Sequence, residues 1–269
     1  MTRVSTGIVF RPQQPPEDLR AVVRAADEAG VPELWLWEDC FLDGGLTAAT
    51  AALAWSERVR VGVGLLPVPL RNPALAAMEI ATLARLWPGR LVPVLGHGVQ
   101  DWMAQVGAAV GSPLTLLREH TEAVRDLLDG RRVDASGRYV ALDRVELDRP
   151  PAQRPPLLVG ARGPRTVRLA GEVADGVLLD DSGSDPASVR RARGLVDEGR
   201  SASGRPGRAV VTVYAEVDPT AADLPARVAA RVGELREAGA DTVVLQGTAE
   251  QPDPRPLLDA LAAAGLLPA

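Results

Sequence analysis

The chain has 269 residues and a formal net charge of −5, with 46% hydrophobic and 24% charged residues. These are ordinary proportions for a globular protein, without the basic surplus that nucleic acid or anionic lipid requires. All 30 cationic residues are arginine, which excludes lysine Schiff-base chemistry, pyridoxal-phosphate catalysis and Walker-A nucleotide binding.

Cys40 is the single cysteine and there are two histidines, so neither a disulfide, a cysteine zinc cluster nor a His-rich metal site is expected. No apolar run reaches the roughly 18 residues of a membrane span, and the run Gly7-Ile8-Val9-Phe10 is too short for a signal-peptide core. The expected location is the cytoplasm.

Short β-rich runs alternate with longer segments of helical period. In chain order the strands are expected at 4–10, 33–38, 59–66, 90–95, 157–160, 176–180, 209–217 and 242–246. The helices between and after them are expected at 17–29, 47–56, 73–86, 115–128, 164–174, 186–199, 225–238 and 254–266. Pro73, Pro164, Pro186 and Pro254 stand where a first-turn proline is tolerated, and Gly30, Gly130 and Gly239 stand where helices stop. Residues 131–156 form one irregular excursion, and no linker divides the chain. Eight units of about 34 residues each match the size of a βαβ module. They predict an α/β fold, a single (β/α)8 TIM barrel over residues 1–269. An open doubly wound sheet is the alternative, but no Gly-x-Gly-x-x-Gly follows the first strand.

In such a barrel chemistry sits where strands run out into βα loops. The informative residues there are 10–16, 38–45, 64–72, 96–102, 160–164, the loop 180–184, Tyr214 and Gln246, and four of these places hold constellations that point to chemistry. Gly160-Ala161-Arg162-Gly163-Pro164 joins the fifth strand to a helix N-terminus, a place suited to a phosphate or to a plain turn. Gly96-His97-Gly98 allows close backbone approach to a flat ligand, and nearby Asp101 is either a general acid or a helix cap. Glu38-Asp39-Cys40 ends the second strand, and at least one of the two carboxylates is expected to face a pocket. Cys40 has no base beside it and reads as pocket lining. Gly64, at the end of the third strand, marks a bulge against a ligand or relief of crowding inside a narrow barrel. His120 lies in a charged stretch, Arg118-Glu119-His120-Thr121-Glu122, and is expected to be solvated.

These residues together resemble the luciferase-like family of flavin- and deazaflavin-dependent oxidoreductases, over nearly the whole chain. The carriers are residues 36–41, the run 60–73 ending Leu70-Arg71-Asn72-Pro73, Pro88-Gly89-Arg90, Gly137-Arg138-Tyr139, the segment 155–164, and Leu169-Ala170-Gly171-Glu172-Val173-Ala174-Asp175-Gly176-Val177. Residues 96–107 and 114–119 resemble the coenzyme F420 branch.

The resemblance implies a barrel that is usually a homodimer, a cofactor phosphate held by backbone around Gly160, Ala161, Arg162, Gly163 and Pro164, and a ring backed by a strained, often cis, peptide at Gly64-Leu65. It places Gly96 and Gly98 at the ring's border and Asp39 in contact with the cofactor. Cys40 stands where sugar-oxidising members often carry histidine, which argues against a glucose-6-phosphate dehydrogenase. Asp101 falls near a family proton donor. The expectation is hydride transfer between F420 and a small organic substrate, with Asp39, His97 and Asp101 as candidate catalytic groups. A β-branched residue at Gly64 is expected to abolish F420 binding with the fold intact. The alternatives are an FMN-dependent monooxygenase and a non-catalytic flavin- or F420-binding protein.

Overall fold

The computed structural model describes residues 4–180 and 185–268. Strand β1 (Ser5–Phe10) leads through a 3-10 turn (Pro16–Asp18) into α1 (Leu19–Ala29), and β2 (Glu33–Leu36) leads into α2 (Gly45–Ala54). Strand β3 (Arg60–Pro67) passes through a second 3-10 turn (Val68–Leu70) into α3 (Pro73–Leu86). Strand β4 (Leu91–Gly96) is followed by a short α4 (Gln100–Gln105) and by α5 (Pro113–Leu128). A hairpin, β5 (Val133–Ser136) and β6 (Ala141–Val145), occupies the expected excursion. The second half runs β7 (Leu158–Gly160), α6 (Pro164–Val173), β8 (Gly176–Leu179), α7 (Pro186–Ser203), β9 (Val210–Glu216), α8 (Leu224–Glu237), β10 (Thr242–Gln246) and α9 (Arg255–Ala263).

Eight parallel strands close in the order β1-β10-β9-β8-β7-β4-β3-β2. The (β/α)8 barrel expected from the alternation is therefore the fold. Proline opens α3, α6 and α7 within the first turn, whereas Pro254 sits one position earlier, at the N-cap of α9. The short α4 is an addition to the expected elements. No described helix is long and apolar enough to cross a membrane.

Alternation along each strand sorts side chains into two layers. One cluster fills the barrel itself: Val9, Trp35, Val92, Val94, Leu158, Leu178, Tyr214 and Val244. The larger cluster lies between strands and helices. Trp35 is fully buried, and its bulk is accommodated because β3 carries glycine opposite it: a Cβ on Gly62 would stand 2.3 Å from the indole. Its Nε1 donates to Glu33 at 2.9 Å, and Arg60 donates to the same carboxylate at 3.0 Å. Burial pushes the Glu33 carboxyl above its ordinary value, and Arg60 opposes the rise.

His120 departs from its expected place. It is 1% exposed, because Leu116, Leu117, Thr121, Ala123 and Val124 form the buried face of α5 and position 120 falls on that face at the i+3 and i+4 spacing. Its charged neighbours occupy the other face. Neither ring nitrogen has a hydrogen-bond partner among the described residues. Burial, and then the nearby Arg71, push its imidazole down to about 4.

Candidate active site

At the C-terminal end of the barrel a cavity of about 400 Å³ opens among residues from β2, β3, β4, β7, β8 and β9 and the loops that follow them. Its floor is the end of β3. Pairing between β3 and β4 runs Val63↔Pro93 and then Leu66↔Leu95. Two residues, Gly64 and Leu65, are thus set against the single residue between the β4 partners, which is a bulge. The Gly64–Leu65 peptide is cis, as is Cys40–Phe41.

Gly64 and Leu65 both face the cavity, but the glycine's missing side chain belongs to the barrel interior. A Cβ there would lie 2.3 Å from the Tyr214 hydroxyl and 2.6 Å from Leu178. Tyr214 Oη donates to the Gly64 carbonyl at 3.3 Å and packs edge-on against Trp35. Relief of crowding is therefore part of what Gly64 does. The expectation that a β-branched residue acts on the cofactor alone is corrected: Gly64→Val overpacks the core. Even Gly64→Ala should lower stability by about 1–3 kcal/mol, checked by thermal melting of the protein without cofactor.

Gly96 and Gly160 are also reassigned in part. A Cβ on either would come within 2.4 Å of Leu65 Cδ2. These two glycines flank the leucine side chain, and Gly96 is not itself on the cavity wall. Gly98 is on the wall, with φ +68. That is a left-handed conformation natural to glycine.

From beside the bulge, Gly160, Ala161, Arg162 and Gly163 continue the cavity wall. Gly163 is the N-cap of α6 and offers no side-chain cap; Pro164 has no N–H and the Thr166 and Val167 N–H groups both donate to the Gly163 carbonyl, which leaves the Arg165 N–H as the first-turn donor without a backbone acceptor among the described residues. A Cβ on Gly163 would meet none of the described residues within 4 Å. Pro164 begins the helix and is exposed, outside the cavity wall.

The two carboxylates after β2 divide sharply. Arg71 clamps Glu38 with both terminal nitrogens, Nη1 to Oε1 and Nη2 to Oε2, the second at 2.8 Å. The Gly45 N–H adds a third bond to Oε2 at 2.8 Å, and Arg71 reaches on to Glu79 at 3.3 Å. Glu38 is a structural tie between the β2 loop and α3. That leaves Asp39 as the carboxylate from this pair available to a ligand. Burial raises its carboxyl above the ordinary value, Arg162 and Arg11 oppose the rise, and Asp180 reinforces it. Cys40 lies outside the cavity, in an open groove shared with Phe41, Leu70 and Leu75.

His97 is on the wall, but its Nε2 lies 3.0 Å from Thr166 Oγ1 in the first turn of α6. The bond ties the β4 loop to the glycine-rich β7 loop. Burial lowers its imidazole below the ordinary value, so it is neutral near pH 7. Asp101 is not brought into the site. It stands in the first turn of α4, exposed, while its neighbours Gln100 and Trp102 line the cavity.

Trp102 and Asp180, within the βα junctions expected from the sequence, line the cavity, as do Trp37 and Thr166, which were not singled out. Trp37 repeats the inward register of Trp35 two residues earlier, which is the signal that could have found it. Residues 181–184 of the expected β8 loop lie outside the described residues.

One cavity thus holds both the bulge of β3 and the N-terminal end of α6 in its wall. The chain belongs to the luciferase-like monooxygenase family, whose model matches residues 2–265. It is 29% identical over 228 residues to the 5,10-methylenetetrahydromethanopterin reductase of Archaeoglobus fulgidus, covering 84% of this chain and 68% of that protein. It is 34% identical over 197 residues to the F420-dependent glucose-6-phosphate dehydrogenase of Kineococcus radiotolerans, covering 67% of this chain and 57% of that one. The chain thus spans little more than half to two thirds of these relatives. Among solved structures, an F420-dependent secondary alcohol dehydrogenase in complex with an F420–acetone adduct superposes with a TM-score of 0.86 at 18% identity, over 100% of both chains.

Proposed function

We propose that this protein is an F420-dependent oxidoreductase that moves a hydride between the deazaflavin and a small organic substrate. The observation that carries this reading is one cavity with two surfaces in its wall: the Gly64–Leu65 bulge and the N-terminal end of α6. The first offers a wall of backbone and leucine to a ring. The second offers a phosphate the Arg165 N–H, the positive end of the helix dipole and a glycine without a side chain at the N-cap. When bound there, F420 supplies two-electron hydride chemistry.

The protein's own residues do the rest. Leu65 supports one ring face, and Gly98 lets the β4 loop approach its edge. Thr166 fixes His97, which keeps the β4 and β7 loops in register. Asp39 stands at the cavity with an upward-shifted carboxyl, the condition under which a carboxylic acid can hold and release a proton nearer neutrality. Asp39→Asn should lower kcat/KM by roughly 100-fold and remove one limb of the pH–rate profile. An unchanged profile excludes Asp39 as the proton-handling group.

The decisive experiment titrates the purified protein with F420 and with FMN. Saturable F420 binding and substrate turnover by reduced F420 without oxygen uptake are expected. Binding of FMN alone, with oxygen consumed in step with product, overturns the F420 reading, and F420 binding without turnover reduces the protein to a carrier.

A homodimer is part of the same proposal. Leu75, Met78 and Leu86 are 47%, 56% and 61% exposed along one face of α3, beside Phe41 at 65%. A stripe of this kind supports burial against a second copy. Sedimentation of Met78→Asp checks it, with a monomer expected.

A further inference from the structure

We propose that Arg11 is a positioning residue of this site: from behind the cavity wall it holds Trp37 in place and, through Trp37, the segment that carries Asp39. The inference deepens the oxidoreductase reading above, in which Asp39 handles a proton, and rests on it.

Arg11 is the first residue after β1, at the end of the barrel where the cavity opens. It is 7% exposed and is not itself on the cavity wall. Burying a guanidinium is costly unless hydrogen bonds and opposite charge replace its water. Its Nη1 donates to the Gly247 carbonyl at 2.6 Å and to Glu216 at 3.2 Å, and its Nε donates to Gln13 at 3.2 Å. The Glu216 side chain is 41% exposed, so this ion pair lies at the rim and is weak. Joining β1 to the ends of β9 and β10 requires only a neutral donor. The charge and the plane of the guanidinium serve something else.

That is Trp37. The guanidinium carbon lies over its ring, 5.0 Å from the centroid, a contact that needs a planar cation. Trp37 also meets Tyr214, with ring centroids 5.9 Å apart and planes 32° apart. Tyr214 in turn donates to the Gly64 carbonyl. Arg11, Trp37, Tyr214 and Gly64 thus form a connected row from the end of β1 to the bulge of β3, and the last three line the cavity. In barrel order β9, β10, β1 and β2 are neighbours, and Arg11, at the end of β1, reaches the ends of the other three. Together with β8 they form the part of the rim that the Leu65 floor does not occupy.

The same contact places Asp39. The segment Trp37-Glu38-Asp39 is pinned by two arginines, neither of them on the cavity wall. Arg71 holds Glu38, and Arg11 stacks on Trp37. With both preceding side chains held, Asp39 has a fixed approach to the cavity. The charge of Arg11 acts on it as well. Burial and Asp180 disfavour the ionised carboxylate, and Arg162 and Arg11 favour it.

The test needs no substrate. Arg11→Met keeps an unbranched stem and removes both charge and plane, whereas Arg11→Lys keeps the charge and removes the plane. Two NMR signals are followed in the full chain without cofactor. One is the Asp39 carboxyl carbon, identified by its loss in Asp39→Asn. The other is the Trp37 indole N–H, identified by its loss in Trp37→Phe. In Arg11→Met the Asp39 titration midpoint should rise by about 0.5–1 pH unit, because a favourable charge is gone, and the Trp37 signal should move. In Arg11→Lys the midpoint should return to within about 0.3 pH unit of the unsubstituted protein while the Trp37 signal stays displaced. An unmoved midpoint or an unmoved Trp37 signal in Arg11→Met overturns the proposal. A midpoint displaced equally in both variants shows a general loosening of the rim and overturns it too. Because both signals are read without cofactor, failure of F420 to bind strikes the oxidoreductase reading alone.

Discussion

Gly163→Asp yields a protein that melts at the same temperature or slightly higher and binds F420 roughly 100-fold more weakly. The two effects have one cause. Gly163 has φ −92 and ψ 152, an extended conformation open to any residue, and its Cβ position is clear of the described residues to 4 Å. Aspartate there does what α6 lacks: its carboxylate accepts from the Arg165 N–H and settles on the positive end of the dipole, gains of about 1 kcal/mol. That is also the place proposed for the cofactor phosphate. The substitution therefore satisfies the helix and adds a like charge against the ligand. Two charges about 4 Å apart near a protein surface repel by ~4 kcal/mol, enough for a 100-fold loss after partial screening. Fluorescence titration with F420 and a melting curve measure the two halves separately. Unchanged affinity in the folded variant removes Gly160–Gly163 from the cofactor site.

The second large effect concerns acid stability. His120 titrates at about 4 in the folded chain, against 6.5 for an ordinary histidine. Between those values the unfolded chain binds a proton that the folded chain refuses. Stability contributed by the neutral, buried imidazole is thus fully present above about pH 6.5 and is lost as the pH falls toward 4. Across that window the loss amounts to about 3 kcal/mol. In His120→Leu this part of the acid branch should flatten. Stability near neutral pH should hold or improve, since two unpartnered buried nitrogens are removed. Urea melts of both proteins at pH 7, 5.5 and 4.5 check the sign. Parallel acid branches would show that His120 does not titrate in the window.

The barrel was legible because its signals are local: alternation along strands, helical period, first-turn prolines, terminal glycines. The short α4 has six residues, too few to display a period. Residues 131–156 mix charge and proline, which conceals a hairpin with an irregular register between Val133 and Ala135. Within the site, the positions of the glycines were legible but their purposes were not. The atom each one avoids comes from elsewhere in the chain, as Leu65 does for Gly160. The choice between Glu38 and Asp39 is settled by Arg71, 33 residues beyond Glu38. His120 had the right period for burial, and the charges beside it obscured this. Asp101 looked functional by position along the chain, yet it faces solvent between two residues that turn inward.

Leu65 seated between Gly96 and Gly160 has a consequence for how this floor can change over evolution or in the laboratory. The three positions come from three strands that adjoin one another, β3, β4 and β7, and they behave as one mechanical part. Enlarging either glycine drives the leucine toward the space where a ring is proposed to lie, and shortening the leucine alone opens a void beneath it. Single substitutions here are therefore penalised whichever residue moves first, while a compensated pair, such as Gly160→Ala with Leu65→Val, escapes part of the penalty. The floor is epistatic by geometry, so variation in what the enzyme accepts is channelled to the charged and aromatic rim above it.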